Sequence, residues 1–213
     1  MRPMIDLSVY LVLDPDLCGG AQGMIDTTRA AVQSGVRCVQ LRAPHWKKRA
    51  LVECGRALKS VLSGTNAALI INDHADVCLA VNADGLHIGQ DDLSPADARA
   101  IIGNDRVLGL SVSDEQELAG VDSSLIDHLG VGPIYQTSTK TDAGPELGIE
   151  GFARLAARKP CPVVAIGSVN PPIVGELMHA GADGVAVVSA ICGQKNPAAA
   201  AKALVEEVAR ARS

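Results

Sequence analysis

Acidic residues stand at two places where an apolar run of the sequence ends. Asp73 closes the run "ALIIND", and the pair Asp91 and Asp92 follows "GLHIGQ". Two carboxylates from neighbouring loops can hold Mg²⁺, a hard cation that keeps coordination positions open for phosphate oxygens. The competing interpretation is that these residues cap helices. The pattern predicts a cation site made by Asp73 and one member of the pair, and it leaves open which one.

Cationic and hydroxyl-bearing residues follow two other apolar runs. Arg42 ends the run "CVQLR", and Lys140 follows Thr137, Ser138 and Thr139 in the loop "YQTSTK". Guanidinium and ammonium groups are strong donors to phosphate oxygens. Hydroxyl groups can also belong to an ordinary polar turn. Together with the carboxylates, these residues indicate a site for a phosphorylated ligand.

The elements that must position these residues are eight short apolar runs separated by amphipathic segments. The runs cover residues 9–14, 38–42, 68–73, 85–89, 107–112, 128–134, 162–167 and 184–189. Apolar strands that alternate with helices predict a parallel sheet covered by helices. Eight such units favour a closed (β/α)8 TIM barrel over an open sheet, and no linker interrupts them. We therefore predict an α/β fold with a single barrel domain over residues 1–213.

A barrel of this kind gathers the polar residues at the carboxyl ends of its strands into one site, whereas its amino ends serve stability. The turns "GSVN" after the seventh run and "SAICG" after the eighth occupy the usual phosphate corner, where backbone N–H groups and a short helix receive the anion. The predicted site residues are Gln40, Arg42, Asn72, Asp73, Gln90, Asp91, Asp92, Ser111, Thr137 to Lys140, Gly167, Ser168 and Ser189.

Composition argues against several other classes of protein. The net charge is −5 and aromatic residues make up 2% of the chain, so we expect no nucleic-acid partner. The six cysteines show no metal-binding spacing, and reduced thiols suit a cytoplasmic protein. No apolar run has the length of a membrane span or follows a signal-peptide pattern, so we expect no membrane partner. Barrels of this size commonly self-associate, which makes a homo-oligomer possible.

Several long segments resemble the thiamine phosphate synthase family. Two stretches, "GPIYQTSTKTDA" and "GADGVAVVSAI", are the most specific to it. The further matching segments are "VQLR", "IIND", "ADGLHIGQDDL", "LGLSV" and "PVVAIG", and together they cover most of the chain in order.

This resemblance implies a reaction and a set of roles. The family joins a hydroxymethylpyrimidine diphosphate to a thiazole phosphate, with release of diphosphate. The resemblance places Asp73 and Asp92 on Mg²⁺, which selects the second member of the acidic pair. It makes Arg42, Ser111 and Lys140 the catalytic residues. The pyrimidine diphosphate is assigned to Gln40, Arg42, Asn72, Ser111 and Lys140, and the thiazole phosphate to Thr137, Ser138, Thr139, Gly167, Ser168, Val188 and Ser189.

Two positions depart from the family pattern. Pro44 stands where a diphosphate-binding lysine is expected, and Lys47 or Lys48 could replace it only from a re-routed loop. Ser168 stands where the family has a second glycine, so we expect it to keep the backbone N–H and to disfavour a positive φ. Two alternatives stay open: a related thiazole tautomerase-like enzyme, against which Asp73, Asp92 and Lys140 argue, and a non-catalytic barrel that binds thiazole phosphate and has lost turnover through the change to Pro44.

Two further residues have side chains that could take part in chemistry, but we favour a structural role for both. His87 lies within an apolar run and is expected to be a hydrogen-bonded interior residue rather than a base. Tyr135 is expected to pack within its loop rather than to stack on a heterocycle.

Overall fold

The computed structural model describes residues 3–137 and 144–213, and its strands close into one parallel barrel in chain order. Each strand pairs in parallel with the next, and β1 pairs with β8. The predicted (β/α)8 fold is confirmed. The strands are β1 (Val9–Leu13), β2 (Cys38–Leu41), β3 (Ala68–Asn72), β4 (Gly85–Ile88), β5 (Val107–Val112), β6 (His128–Val131), β7 (Val163–Ile166) and β8 (Gly184–Val187).

Helices follow the strands and cover the outside of the barrel. Asp14, Ser94, Asp114 and Asn196 each accept backbone N–H groups at a helix start, as the sequence pattern of helix caps requires. None of the described helices is long and apolar enough to cross a membrane. The helices are α1 (Pro15–Cys18), α2 (Ala21–Gln33), α3 (Lys48–Leu62), α4 (Ala75–Ala80), α5 (Pro95–Ile102), α6 (Glu115–Ala119), α7 (Gly148–Ala156), α8 (Pro171–His179) and α9 (Pro197–Ala211).

The amino ends of the strands are closed by a repeated ion-pair motif. An aspartate directly before β4, β6 and β8 accepts a backbone N–H near the start of the preceding strand, each time at 2.8 Å. Each of these aspartates also pairs with a Lys or Arg side chain, at 2.6–3.0 Å. The three pairs are Lys59 with Asp84, Arg99 with Asp127, and Lys159 with Asp183. This end of the barrel is therefore occupied by structural contacts, as expected of its stability face.

The barrel interior holds several large side chains, and a glycine makes room for two of them. Tyr10 and Ile70 are fully or almost fully buried there. Gly109 of β5 lies in register between His87 of β4 and His128 of β6, and a Cβ at Gly109 would lie 2.4 Å from the His128 ring and 2.5 Å from His87 Nδ1. The missing side chain lets the two imidazoles approach each other inside the barrel.

One local prediction differs from the structure. We expected a short helix directly after the eighth strand, but residues 188–192 form a single turn and α9 begins only at Pro197. Within this turn the N–H groups of Ile191 and Cys192 both donate to the Val188 carbonyl, at 3.0 and 2.8 Å. Glycine at 193, with a φ of 75°, ends the turn before a second helical turn can form.

Candidate active site

A cavity of about 430 Å³ opens at the carboxyl ends of the strands. Every strand or the loop that follows it contributes to the cavity wall, so a single space collects residues that are far apart in the sequence. The described residues of the predicted site that line it are Gln40, Arg42, Asn72, Asp73, Gln90, Asp91, Asp92, Ser111, Thr137, Gly167, Ser168, Val188 and Ser189. Ser138, Thr139 and Lys140 lie outside the described residues, so their predicted roles stay predictions.

The floor of the cavity is polar. The Gln40 amide donates to the Tyr10 hydroxyl at 2.8 Å, and the two side chains are 4% and 1% exposed. Burial raises the pKa of Tyr10 well above its usual value, so this phenol stays neutral. His87 Nε2 lies 3.0 Å from Ser111 Oγ. The floor thus presents an amide, hydroxyls and an imidazole, which suit the edge of a neutral heterocycle.

His128 supports the floor from below. It is fully buried, its ring lies 5.6 Å from the His87 ring, and its ring meets Tyr10 edge-on at 5.8 Å. Burial lowers the pKa of His128 from 6.5 to about 4. Neither of its ring nitrogens has a hydrogen-bond partner among the residues that the structure describes. His128 is therefore a neutral ring at physiological pH, and it adds no charge beneath the cavity.

The two predicted metal ligands lie on the cavity wall at the ends of neighbouring strands β3 and β4. Asp73 has a positive φ of 59°, and its N–H donates to the His87 carbonyl at 2.8 Å. The Asn72 amide donates to Asp73 Oδ2 at 2.5 Å, and the Gly89 N–H donates to Asp92 Oδ2 at 2.8 Å. Each carboxylate is thus oriented through one of its oxygens.

These two carboxylates suit a cation whose remaining ligands are water and substrate phosphate oxygens. The described part of the chain contains no group of three or more acidic, His or Cys side chains that could enclose a metal. Mg²⁺ is commonly bound by one or two carboxylates, with water and substrate phosphates completing its octahedron. Asp73 and Asp92 therefore suit Mg²⁺ carried in part by a diphosphate, and they do not form a closed structural metal site.

Arg42 contributes a positive charge to the cavity wall. It is half-buried on the cavity wall, and among residues 3–137 and 144–213 its guanidinium has no hydrogen-bond or ion-pair partner. Pro44 also lines the cavity, whereas neither Lys47 nor Lys48 is among the described lining residues. Lys48 instead pairs with Asp76 of α4 at 2.5 Å. In the described part of the chain, no lysine replaces the one that Pro44 displaces.

The turn after β7 forms the opposite wall. Gly167 has a φ of 106°, and a Cβ there would lie 2.7 Å from Pro133 Cα, so only glycine fits. Our expectation for Ser168 was wrong, because this serine does adopt a positive φ, of 53°. Its hydroxyl donates to the Gln136 carbonyl at 2.5 Å, which compensates for the strained backbone and ties the turn to the loop after β6.

Three cavity residues were missed or weighed differently by sequence reasoning. Tyr10 was missed because it lies low in its strand, where no strand-end signal marks it. Glu117 of α6 was missed because it comes from a helix; its carboxylate accepts from the N–H and hydroxyl of Ser113 at 2.6 and 2.9 Å. His87 is the hydrogen-bonded interior residue that we expected, and it also reaches the cavity. Tyr135 is 37% exposed and is not among the described lining residues.

Fold and cavity together define a (β/α)8 barrel whose polar site lies at the carboxyl ends of its strands. Residues 9–191 match the family model described as thiamine monophosphate synthase. The chain therefore belongs to the thiamine monophosphate synthase family, as the sequence resemblance predicted.

Individual relatives agree over nearly the whole chain. The thiamine-phosphate synthase of Laribacter hongkongensis is 50% identical over 204 residues, which cover 96% of each chain. That of Xanthobacter autotrophicus is 50% identical over 212 residues and covers both chains fully. The solved structure of a thiamine phosphate pyrophosphorylase from Pyrococcus furiosus superposes with a TM-score of 0.88 at 28% identity, covering 98% of each chain.

Proposed function

We propose that the protein is a transferase that condenses 4-amino-2-methyl-5-hydroxymethylpyrimidine diphosphate with a thiazole phosphate to form thiamine phosphate and diphosphate. The observation that carries this proposal is the division of one cavity into two anion-binding sides. Arg42, Asp73 and Asp92 stand on one wall, and the turns at 167–168 and 188–189 stand on another. Two phosphorylated substrates can therefore meet over one polar floor.

The floor suits the pyrimidine ring. Gln40, Asn72 and Ser111 supply amide and hydroxyl groups that can pair with ring nitrogens and the exocyclic amine. Because Tyr10 and His128 are neutral, no fixed charge beneath the ring competes with these hydrogen bonds. We assign the pyrimidine to this floor with its diphosphate directed toward Arg42.

The residues on the diphosphate side stabilise the leaving diphosphate. Asp73 and Asp92 would hold Mg²⁺, which when bound supplies positive charge to the leaving diphosphate. Arg42 donates to the same phosphate oxygens, and we assign Lys140 to this role as well. The bond between the pyrimidine methylene carbon and the diphosphate oxygen breaks, and its electron pair leaves with diphosphate. Because the aminopyrimidine ring delocalises the positive charge left behind, the step needs no nucleophile from the protein.

The residues on the thiazole side hold the thiazole phosphate in position for the reaction. Backbone N–H groups of the turns at Gly167, Ser168, Val188 and Ser189, with the hydroxyls of Thr137, Ser138 and Thr139, would hold the thiazole phosphate. Once anchored, the thiazole nitrogen forms the new bond to the methylene carbon. Holding both reactants in one cavity turns an encounter in solution into a step within one complex, which can supply several kcal/mol, ~7–11 at best.

The decisive experiment follows diphosphate release from both substrates in the presence of Mg²⁺. We expect release that requires the protein and both substrates. Binding of thiazole phosphate without diphosphate release would favour a non-catalytic binding protein. Metal-independent isomerisation of a thiazole phosphate would favour a tautomerase.

We also propose a cytoplasmic location and small-molecule partners, without nucleic acid or membrane. The six cysteines are free thiols, which suits a reducing compartment. A homo-oligomer remains part of this proposal, to be measured by light scattering.

A further inference from the structure

Two thiols meet beside the cavity and have no part in the proposed reaction. Cys18 ends α1, the short helix that follows β1, and Cys192 ends the turn that follows β8. The residues are 174 positions apart in the sequence (192 minus 18), yet each thiol is the largest influence on the pKa of the other, which places the two side chains close together. The Cys192 thiol also donates to the Val12 carbonyl at 3.6 Å.

The backbones beside the two cysteines approach each other closely. A Cβ placed on Gly193 would lie 3.6 Å from Leu17 Cβ and 3.3 Å from the Leu17 carbonyl oxygen. Leu17 and Gly193 are the chain neighbours of the two cysteines. Disulfides join residues whose Cβ atoms are about 3.5–4.5 Å apart. The contact between the neighbouring residues shows that the two loops that carry the cysteines pack directly against each other.

The two sulfur atoms differ in chemical character. The interaction with Cys192 is the main cause that lowers the pKa of Cys18 from 9.0 to about 7, against the opposing effect of burial. The Thr27 hydroxyl also lowers it, while the charge of Asp14 raises it. The same contact raises the pKa of Cys192, which is buried. Burial raises the pKa values of Cys54, Cys78 and Cys161 to about 11. A partly exposed thiolate beside a buried second thiol is the arrangement found in redox-sensitive proteins.

The buried thiol belongs to the wall of the cavity. The Cys192 N–H donates to the Val188 carbonyl at 2.8 Å, and Val188 and Ser189 line the cavity. Val12, whose carbonyl accepts from the Cys192 thiol, lines the cavity as well. A displacement of Cys192 is thus transmitted to the turn that we assign to the thiazole phosphate.

We propose that Cys18 is a site of oxidation by hydrogen peroxide, and that the product is a Cys18–Cys192 disulfide that reshapes the turn at 188–192. The Cys18 thiolate attacks one peroxide oxygen, the O–O bond breaks, and the leaving hydroxide takes up a proton to become water. Cys192 sulfur then attacks the sulfur of the Cys18 sulfenic acid. The S–O bond breaks, and the departing hydroxide leaves as water with the Cys192 proton. Two thiols are oxidised, one peroxide is reduced, and two waters form.

The functional consequence rests on the proposed function. Disulfide sulfur atoms lie about 2.05 Å apart, closer than two hydrogen-bonded thiols, so closing the bond must move the turn that carries Cys192. A misplacement of about 1 Å in a positioning group can reduce turnover on the order of 100-fold. We expect the disulfide to raise the KM for the thiazole phosphate by at least about threefold, with a smaller effect on the pyrimidine diphosphate.

The test treats the reduced full-length protein with hydrogen peroxide and maps its cysteines by mass spectrometry, with no substrate present. We expect a cross-link between the peptides that contain Cys18 and Cys192, with loss of two hydrogen atoms. Cys18→Ser and Cys192→Ala should each abolish it. Cys161→Ser is the matched control, because Cys161 is also half-buried, and the cross-link should form in this variant as in the parent.

Each result has one meaning. No cross-link in the parent protein, or an equal cross-link in Cys18→Ser, overturns the oxidation site whatever the enzyme does. A cross-link that leaves both KM values unchanged in an active enzyme overturns the coupling to the turn. If reduced protein releases no diphosphate, the proposed function fails while the cross-link result stands. Dithiothreitol should restore the thiols and, in an active enzyme, the original KM.

Discussion

At the scale of single residues, the site depends on how each polar side chain is held rather than on its type alone. Asp91 and Asp92 are adjacent and both line the cavity, yet only Asp92 has its carboxylate oriented by the Gly89 N–H, at 2.8 Å. That contact distinguishes two chemically identical neighbours. It supports the choice of Asp92 as the second metal ligand in our proposal.

The metal assignment leads to the first prediction. Asp73→Asn and Asp92→Asn should each reduce kcat at least about tenfold, equivalent to ~1.4 kcal/mol, because each removes a charge that holds the ion on the leaving group. Diphosphate release measured over a range of Mg²⁺ concentrations provides the test. Asp91→Asn is the matched control and should retain most activity; parent-like Mg²⁺ dependence in all three variants would contradict the assignment.

At the scale of elements, the loops after β6 and β7 act together. Ser168 adopts a positive φ that glycine would accept more easily, and its hydroxyl holds the Gln136 carbonyl at 2.5 Å. A strained residue at a cavity wall persists when its surroundings compensate for the strain. The hydrogen bond is that compensation, and it links the two segments that we assign to the thiazole phosphate.

This link can be tested by two substitutions at one position. Ser168→Ala removes the hydroxyl and keeps the strain, whereas Ser168→Gly removes both. We expect Ser168→Ala to be about 1 kcal/mol less stable to unfolding than Ser168→Gly, because glycine adopts positive φ without a steric penalty. Both should raise the KM for the thiazole phosphate several-fold, equivalent to ~1 kcal/mol for one hydrogen bond. Unchanged KM values in both variants would show that the link has no role in binding.

The packing of β4, β5 and β6 leads to a further prediction. Gly109→Ala places a methyl group 2.4 Å from the His128 ring and 2.5 Å from His87 Nδ1, so it should destabilise the barrel by about 1–3 kcal/mol. Chemical denaturation measures the loss. Gly175→Ala, in α8, is the control, because no atom lies within 4 Å of its added Cβ, and it should be neutral or slightly stabilising. Equal stability of the two variants would contradict this account of the interior.

At the scale of the whole molecule, a buried imidazole makes stability depend on pH. The pKa of His128 is lowered by burial from 6.5 to about 4 in the folded protein. Between about pH 4 and pH 6.5 the His128 ring binds a proton in the unfolded chain but not in the folded protein. Folding therefore becomes less favourable as the pH falls below about 6.5. Above that pH the group is neutral in both states and has no effect.

The prediction is a loss of stability on acidification that depends on His128. Between pH 7.5 and pH 4.5 the free energy of unfolding should fall more steeply in the parent than in His128→Leu, by up to about 3 kcal/mol. His179→Gln is the matched control, since His179 is exposed at the end of α8, and it should follow the parent profile. Parallel profiles for the parent and His128→Leu would show that burial of this ring does not cause the loss of stability at low pH.

Much of the architecture could be predicted from the sequence, because each element carries its own local signal. The run 107–112 is observed as β5 with the predicted bounds. Asp73, Asp92 and Arg42 were predicted at strand ends, and the barrel brings all three to one cavity. Their convergence could be predicted because the carboxyl ends of parallel strands in a barrel share one face.

Tertiary structure decided the contacts between residues that are distant in the sequence. No local pattern indicates that Ser168 compensates its own strain through Gln136, that Gly109 makes room for two imidazoles, or that Cys18 meets Cys192. The sequence by itself determined the order of strands and helices and the edge at which the polar residues gather, because these follow from hydrophobic periodicity and strand direction. The closed barrel decided how the site side chains are oriented, which of them are protonated and which residues they contact. These properties depend on distances and burial that arise only when strands remote in the chain become neighbours.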